Sequence, residues 1–289
     1  MTIATIDIGG TGIKFASLTP DGKILDKART PTPETLEDLL AWLDKRLSEQ
    51  DYRGIAMSVP GAVHQETGVI EGISAIPYIH GFSWYEALSH HKLPVHLEND
   101  ANCVGLSELL AHPEIENAAC VVIGTGIGGA MIINGKLHRG RHGLGGEFGY
   151  MTTIEPAERL NNWSQLASTG NMVRYVIEKS GQTDWDGRKV YQEAAAGNAL
   201  CQEAIERMNR NLAQGLLNIQ YLIDPDVISL GGSISQNPDF IKGVQKAVDA
   251  FVERYEEYTI APVIQACTYQ ADANLYGALV NWLQEENQW

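Results

Sequence analysis

The sequence predicts an α/β protein made of two related halves, each opening with a strand, a glycine- and threonine-rich turn and a second strand. Two observations carry this. The pattern is written twice, as Asp7-Ile8-Gly9-Gly10-Thr11-Gly12-Ile13-Lys14 and as Gly124-Thr125-Gly126-Ile127-Gly128-Gly129. After each copy, short apolar runs of strand length alternate with segments of helical periodicity. Glycine lets a backbone turn tightly and bring its N–H groups close to an anion, and threonine adds a hydroxyl donor, so both turns are candidate phosphate loops. Two such hairpins facing each other can hold a triphosphate between two domains. The second turn also fits the G-x-G-x-x-G spacing of dinucleotide-binding folds, but that reading needs a helix to open at the loop. Here Met131-Ile132-Ile133 followed by Asn134-Gly135 reads as a strand entering a hairpin. The first turn lacks the Gly-Lys-Ser/Thr ending of a P-loop.

Taken in order, residues 3–6 and 15–18 are the first two strands. Leu36, Leu39, Leu40, Leu43 and Leu47 recur at helical spacing and predict a helix over 36–47. Residues 55–59 read as a strand ending at Pro60-Gly61, and 60–84 as a functional loop region without clear period. A strand at 95–98 runs into Asn99-Asp100-Ala101-Asn102, with a helix from about 101 to 110. The second half has strands at 120–123 and 130–133, then a mainly helical stretch over 160–220 with an apolar stripe of Leu200, Ala204, Met208, Leu212, Leu216 and Ile219. The helix stops at Asp224-Pro225-Asp226. A buried strand over 227–230 ends at Gly231-Gly232 before a further helix, and a final helix covers about 274–284. The boundary between halves is placed near 111–117.

Composition narrows the function. The chain has 289 residues, enough for one large or two medium domains, and 44% of them are hydrophobic, as expected for a globular protein. A net charge of −15 without a basic run argues against nucleic acid or an anionic membrane as partner. No signal peptide and no apolar stretch of membrane-spanning length is read, and Cys103, Cys120, Cys201 and Cys267 are far apart without a C-x-x-C, as expected of reduced cysteines in a cytoplasmic protein. The eight histidines show no metal-binding spacing, and no G-x-S-x-G elbow is present.

Four further features can carry chemistry. Asp7, at the end of a strand in the first turn, suits Mg²⁺ held directly or through water, or stabilises the turn. Lys14 offsets phosphate charge or, the preferred reading, is a solvated strand residue. Asn99-Asp100 lies between strand and helix, where open α/β sheets bind ligands. Asp100 can take a proton from a hydroxyl attacking a γ-phosphate while Asn99 bonds a neighbouring hydroxyl, or the pair caps the helix. Gly143-Leu144-Gly145-Gly146-Glu147-Phe148-Gly149-Tyr150 implies a backbone that comes close to something, with Glu147 and Tyr150 suited to sugar hydroxyls, or is one more glycine hairpin.

Asp7 to Thr11, Glu98 to Asn102, Gly124 to Gly129, Gly145 to Tyr150 and Leu230 to Gly232 occur in one order along nearly the whole chain, and together they resemble the ROK family of sugar kinases and repressors. The resemblance implies a two-lobed actin-like ATPase (ribonuclease H-like) fold with related mixed β-sheets in both lobes and a cleft between them. The expected lobes are 1–114, joined by the C-terminal helix 274–289, and 115–273. It implies ATP and Mg²⁺ as cofactors, with Asp7 on Mg²⁺ and the phosphates on Gly9, Gly10, Thr11, Gly124, Thr125, Gly126 and Gly128. Adenosine would lie near Gly231 and Gly232. Sugar would meet Gly61, Asn99, Asp100, Glu147 and Tyr150, with Asp100 as general base. A homodimer is implied as well.

Departures from the family pattern are informative. Many members carry a zinc-binding His where this chain has Tyr150, together with three cysteines. The corresponding stretch, 157–164, holds none, so no zinc is expected. Ser164 falls where the family has a sugar-binding Glu. A site that loses polar groups at the anomeric end need not demand a free anomeric hydroxyl. These features look most like bacterial β-glucoside kinases, which phosphorylate the 6-hydroxyl of the non-reducing glucose of cellobiose or an aryl β-glucoside. Tyr78, Phe82 and Trp84 are then candidates to stack on a second sugar or aglycone, although loop aromatics are more often packing anchors. Glucokinase and N-acetylmannosamine kinase activity are the alternatives within the family, and a sugar sensor without turnover is the alternative outside catalysis. The repressor branch, with a DNA-binding segment before the first loop, is disfavoured by the position of Asp7.

Overall fold

The computed structural model describes residues 2–72, 74–154, 160–255 and 260–289. The chain divides into two compact units: unit 1 is Met1–Glu114, Arg139–Gly145 and Ala271–Trp289, and unit 2 is Ile115–His138 and Gly146–Gln270.

Unit 1 is built on β1 (Thr2–Ile8), β2 (Ile13–Leu18), β3 (Ile24–Thr30), α1 (Leu36–Leu47), β4 (Tyr52–Val59), β5 (Ala62–His64), β6 (Val69–Glu71), α2 (Trp84–Ala87), β7 (Val95–Asn99) and α3 (Asp100–Ala111). Its sheet has the order β3-β2-β1-β4-β7. The three strands at the start of the chain pair antiparallel, and β4 and β7 join parallel. The leucines at 39, 43 and 47 of α1 are buried against this sheet, as their spacing requires. Thr35 caps α1 by accepting from the Asp38 N–H.

Unit 2 repeats the plan with β8 (Ala118–Ile123), β9 (Ile127–Ile133), β10 (Lys136–Leu137), β13 (Val227–Gly231) and β14 (Ile264–Ala266), in the order β10-β9-β8-β13-β14. The pairings again run antiparallel, antiparallel, parallel, parallel. Between β10 and β13 lie the small hairpin β11 (Thr152–Ile154) and β12 (Leu160–Asn162) and the helices α4 (Trp163–Ala167), α5 (Thr169–Ser180), α6 (Gly187–Ala195) and α7 (Ala199–Ile223). Helix α8 (Pro238–Arg254) follows β13 through a short 3₁₀ turn, Ser233–Gln236. The apolar stripe of α7 enters the core, with Ala204, Met208, Leu212, Leu216 and Ile219 all buried. Helix α9 (Ala273–Glu285) belongs to unit 1, where it packs on α3 and β4.

Three points go beyond the sequence reading. Residues 24–30 form β3, an edge strand whose largely exposed residues, Ile-Leu-Asp-Lys-Ala-Arg-Thr, give little apolar alternation. The region 60–84 is not one long loop: it contains β5, β6 and the start of α2, strands too short for a period to show. Its aromatics are anchors rather than stacking platforms. Trp84 is fully buried and donates its indole N–H to the Ile79 carbonyl at 3.1 Å. Phe82 packs on it with ring centroids 5.2 Å apart, and the Tyr78 hydroxyl bonds the Pro33 carbonyl.

Candidate functional site

In unit 1 the first glycine turn closes between Ile8 and Ile13, paired residues of β1 and β2. The Gly9 N–H donates to the Gly12 carbonyl at 3.2 Å, and Thr32 Oγ1 donates to the Gly9 carbonyl at 2.5 Å. Gly9 therefore shapes the turn, while Gly10 and Thr11 are exposed at its tip. Asp7 is buried. Its Oδ2 accepts from Lys14 Nζ at 2.9 Å and its Oδ1 from Asn274 Nδ2 at 3.1 Å. Lys14 also donates to the Ala271 carbonyl at 2.6 Å. The solvated reading of Lys14 is corrected: Asp7 and Lys14 are cross-strand partners in register, so the buried carboxylate draws the ammonium to itself.

Asn99 ends β7 and caps α3. Its Oδ1 accepts from the N–H groups of Ala101 at 2.9 Å and Asn102 at 3.2 Å. Its Nδ2 donates to the Gly61 carbonyl at 3.1 Å, which joins Gly61 to the Asn99-Asp100 corner. Gly61 has φ +106°, and a Cβ there would stand 2.8 Å from the Glu71 carbonyl oxygen, so the corner needs glycine. Asp100 is the first residue of α3, with Oδ1 accepting from the Ala101 N–H at 2.8 Å. The cap and the chemical reading thus divide between two residues: Asn99 caps, and the Asp100 carboxylate is left at the helix start. Burial pushes the Asp100 carboxyl above its ordinary value, and the Asp7 charge adds to the rise.

A buried network lies behind this corner, and its members Arg139, Asn281 and Glu285 belong to no sequence motif. Glu98, almost wholly buried, accepts from Arg139 Nε at 2.6 Å, Asn102 Nδ2 at 2.9 Å and the Asn99 N–H at 2.8 Å. Arg139 also donates to Asn281 Oδ1 at 2.7 Å and to Glu285 Oε1 at 3.0 Å. One guanidinium therefore ties the end of β7, the start of α3 and the last helix together. The one hint in the sequence was a glutamate at the end of an apolar strand, a place where a charge requires a partner.

In unit 2 the second turn closes between Ile123 and Ile127, and β9 continues as a strand, which removes the dinucleotide-fold reading. Gly124, Thr125 and Gly126 are exposed, and the Gly124 N–H is bonded to the Gly126 carbonyl at 2.9 Å. Gly128 sits within β9 opposite Val122. A helix N-terminus does reach this turn, but from later in the chain. The Gly170 N–H, in the first turn of α5, donates to the Gly124 carbonyl at 3.1 Å. That end of α5 carries the positive pole of the helix dipole to the loop.

The run 143–150 is crossed by the boundary between the units. In its unit 2 part, the close approach that the glycines imply is to β9: a Cβ on Gly149 would meet the Ile127 carbonyl oxygen at 2.0 Å. Glu147 precedes the short turn Phe148–Tyr150, and Tyr150 is 72% exposed. Ser164 Oγ accepts from the Ile127 N–H at 2.8 Å, so this serine fastens the second hairpin. Residues 157–159 of the stretch compared with the zinc-binding pattern lie outside the described residues.

Beside Gly231 and Gly232 is a cavity of about 630 Å³, lined by Thr169, Asp186, Arg188, Tyr191, Ser233 and Gln236 among others. Thr169 Oγ1 and Tyr191 OH are buried atoms without a hydrogen-bond partner among the described residues. Burial, with the Asp239 charge behind it, raises the Tyr191 phenol far above its ordinary value, so it is a neutral donor. Buried hydroxyls of this kind are costly unless a ligand completes them. Their place between the start of α5 and the Gly231-Gly232 turn fits a nucleotide's polar groups. Sequence reading singled out the glycines but not Thr169 and Tyr191, which no spacing connects.

The model of the ROK family matches residues 3–285. A β-glucoside kinase of Listeria monocytogenes is 35% identical, with 100% of this chain and 99% of the relative covered. A β-glucoside kinase of Klebsiella pneumoniae is 32% identical, with 98% and 97% covered. Among solved structures, a ROK family protein from Streptococcus pneumoniae in complex with sucrose is 89% identical, with a TM-score of 0.98 and both chains covered in full.

Proposed function

The chain belongs to the ROK family, and on that footing we propose that it is an ATP-dependent kinase of β-glucosides such as cellobiose, acting on the 6-hydroxyl of the non-reducing glucose. The family's fold is the two-lobed actin-like ATPase fold, and the repeated five-stranded sheets are its two halves. The observation that carries the reading is the Asp100 carboxylate: it starts α3 beside Asn99 and Gly61, with burial raising its proton affinity.

Each group has a role in this account. Asp100 is the general base, accepting the proton of the sugar hydroxyl as its oxygen attacks the γ-phosphorus. Asn99 keeps one amide hydrogen for a sugar hydroxyl, since Oδ1 caps α3 and the other hydrogen goes to Gly61. Glu147 and Tyr150 are assigned to the sugar as well. Gly10, Thr11, Thr125 and Gly126 supply phosphate donors, with Gly9, Gly124 and Gly128 shaping their turns. Thr169 and Tyr191 hold the nucleoside beside Gly231 and Gly232. Bound Mg²⁺ neutralises phosphate charge. Both Asp7 oxygens are already bonded to Lys14 and Asn274, so Asp7 suits holding the ion through water. The missing cysteines at 157–164 leave no zinc of the family type, and the site works in the cytoplasm, where ATP is supplied.

A second acceptor class has its own support. The sucrose complex of the 89% identical protein shows a disaccharide with a substituted anomeric carbon bound to a near relative. Sucrose is therefore tested alongside the β-glucosides. ADP release with Mg·ATP, with and without cellobiose, salicin or sucrose, decides whether the chain is a kinase. Release that rises with a sugar, and a product phosphorylated at the 6-position, are expected. Tight sugar binding without release would make it a sensor.

Two further outcomes are expected. Tyr191→Phe removes one unpaired hydroxyl, and the KM for ATP rises about five- to tenfold with little change in the KM for sugar; steady-state kinetics with each substrate varied checks it. In kcat/KM for the sugar against pH, which reports the free enzyme, activity falls on the acid side as Asp100 takes up its proton. The midpoint lies above the ordinary carboxylate value of about 4, because the folded-state value is raised. A midpoint at or below 4 contradicts the assignment.

A further inference from the structure

Spacing along the sequence shows no metal motif, yet the fold of unit 1 gathers a donor set from two distant segments. Asp44 stands in the last turn of α1, and His90 and His91 form the 3₁₀ turn that precedes β7. The Nε2 atoms of His90 and His91 lie 3.0 and 2.8 Å from the same oxygen, Asp44 Oδ1. The two imidazole rings are 4.1 Å apart, and the three donor atoms all fall within 4.8 Å of one another. We propose that Asp44, His90 and His91 bind one divalent transition-metal ion of the zinc and nickel class.

Three arguments support this. The donor chemistry is right: two imidazoles and one carboxylate suit these ions and leave positions open for water. The spacing is within reach: the two Nε2 atoms lie 3.0 and 2.8 Å from Asp44 Oδ1, and donors about 2.1 Å from a tetrahedral metal stand about 3.4 Å apart, so small side-chain shifts would seat the ion. The electrostatics also favour a cation. Asp44 is an anion near the C-terminal end of a helix, where the dipole is unfavourable to negative charge and favourable to positive charge.

The neighbouring chain holds the donors in place. Leu43 and Leu47 on α1 and Leu88 before the histidine turn are buried in one core, so little ordering remains for the ion to impose. Binding needs the Nε2 lone pair of each ring, so the proton that each now directs at Asp44 would move to Nδ1. The site would clamp α1 to the segment entering β7, the strand that ends at Asn99. None of the three residues lines the cavity beside Gly231 and Gly232. The site uses no cysteine, and it stands apart from both the kinase reading and the zinc pattern missing at 157–164.

The test uses the full chain, stripped with chelator and returned to saturating Mg²⁺, titrated calorimetrically with Zn²⁺ and, separately, Ni²⁺. One equivalent is expected to bind, with a rise in the thermal midpoint. His90→Gln and His91→Ala each weaken binding at least about tenfold while sugar-dependent ADP release in Mg²⁺ is unchanged. His90 is 55% exposed in its side chain, so His90→Gln leaves the core intact. Absence of stoichiometric binding to the wild-type chain, or equal binding to the folded His90→Gln variant, would overturn the proposal.

Discussion

Asp100→Asn is expected to lower kcat by about 10²- to 10⁴-fold, the range for loss of a general base, while sugar still binds. Asparagine keeps the shape and the oxygen that accepts from the Ala101 N–H, but it cannot take the proton of the attacking hydroxyl. The stability change has a definite sign. Asp100 has a raised folded-state pKa, so its contribution to stability is full below the unfolded value and lost as pH rises through the folded one. The ionised carboxylate that the base role requires is therefore one that its surroundings disfavour. The variant should unfold no more readily than wild type at pH 7, and its advantage should shrink between the raised value and about pH 4. Kinetics and thermal unfolding on one preparation separate loss of chemistry from loss of fold. A variant that turns over at the wild-type rate would remove Asp100 from the mechanism.

Arg139→Met should produce the second largest effect, through both stability and rate. Methionine fills much of the space of the arginine stem but leaves the Glu98 carboxylate without its cation. Glu98 keeps the Asn102 and Asn99 donors, so a cost of about 3 kcal/mol is expected, near the low end for a buried pair broken on one side. Because Glu98 bonds the Asn99 N–H, the disturbance reaches the residue that caps α3. Arg139 is thus a positioning residue: kcat falls while the KM for ATP stays near wild type. Arg139→Lys restores the charge without the fork that reaches Glu98, Asn281 and Glu285 together, and should recover part of the stability. Equal unfolding curves for wild type and Arg139→Met would refute the network's role.

The parts of this protein legible in sequence are those whose physics is local. Helix α1 could be bounded because five leucines follow its period, and both glycine hairpins because their chemistry is contained in a few consecutive residues. The Asn99-Asp100 corner was visible as a strand running into a capped helix, though not which residue capped. What stayed hidden depends on segments meeting in space. Arg139 reaches Glu98 across 41 positions, and Lys14 finds Asp7 because β1 and β2 pair in register. Thr169 and Tyr191 meet at a cavity wall, and Asp44 meets two histidines 46 and 47 positions later. Trp84 stayed open for a related reason: an aromatic in a glycine-rich segment gives no local sign of whether it faces a ligand or a core, and here it fills the core.

The central claim, that this chain phosphorylates β-glucosides, is tested most directly by comparing kcat/KM for cellobiose and salicin with kcat/KM for glucose, sucrose and N-acetylmannosamine under saturating Mg·ATP. Asp100→Asn serves as the control for ATP hydrolysis unrelated to the site. The account expects cellobiose or salicin to exceed glucose by at least about tenfold, a difference of about 1.4 kcal/mol in transition-state stabilisation. Glucose or N-acetylmannosamine as the best acceptor would contradict it.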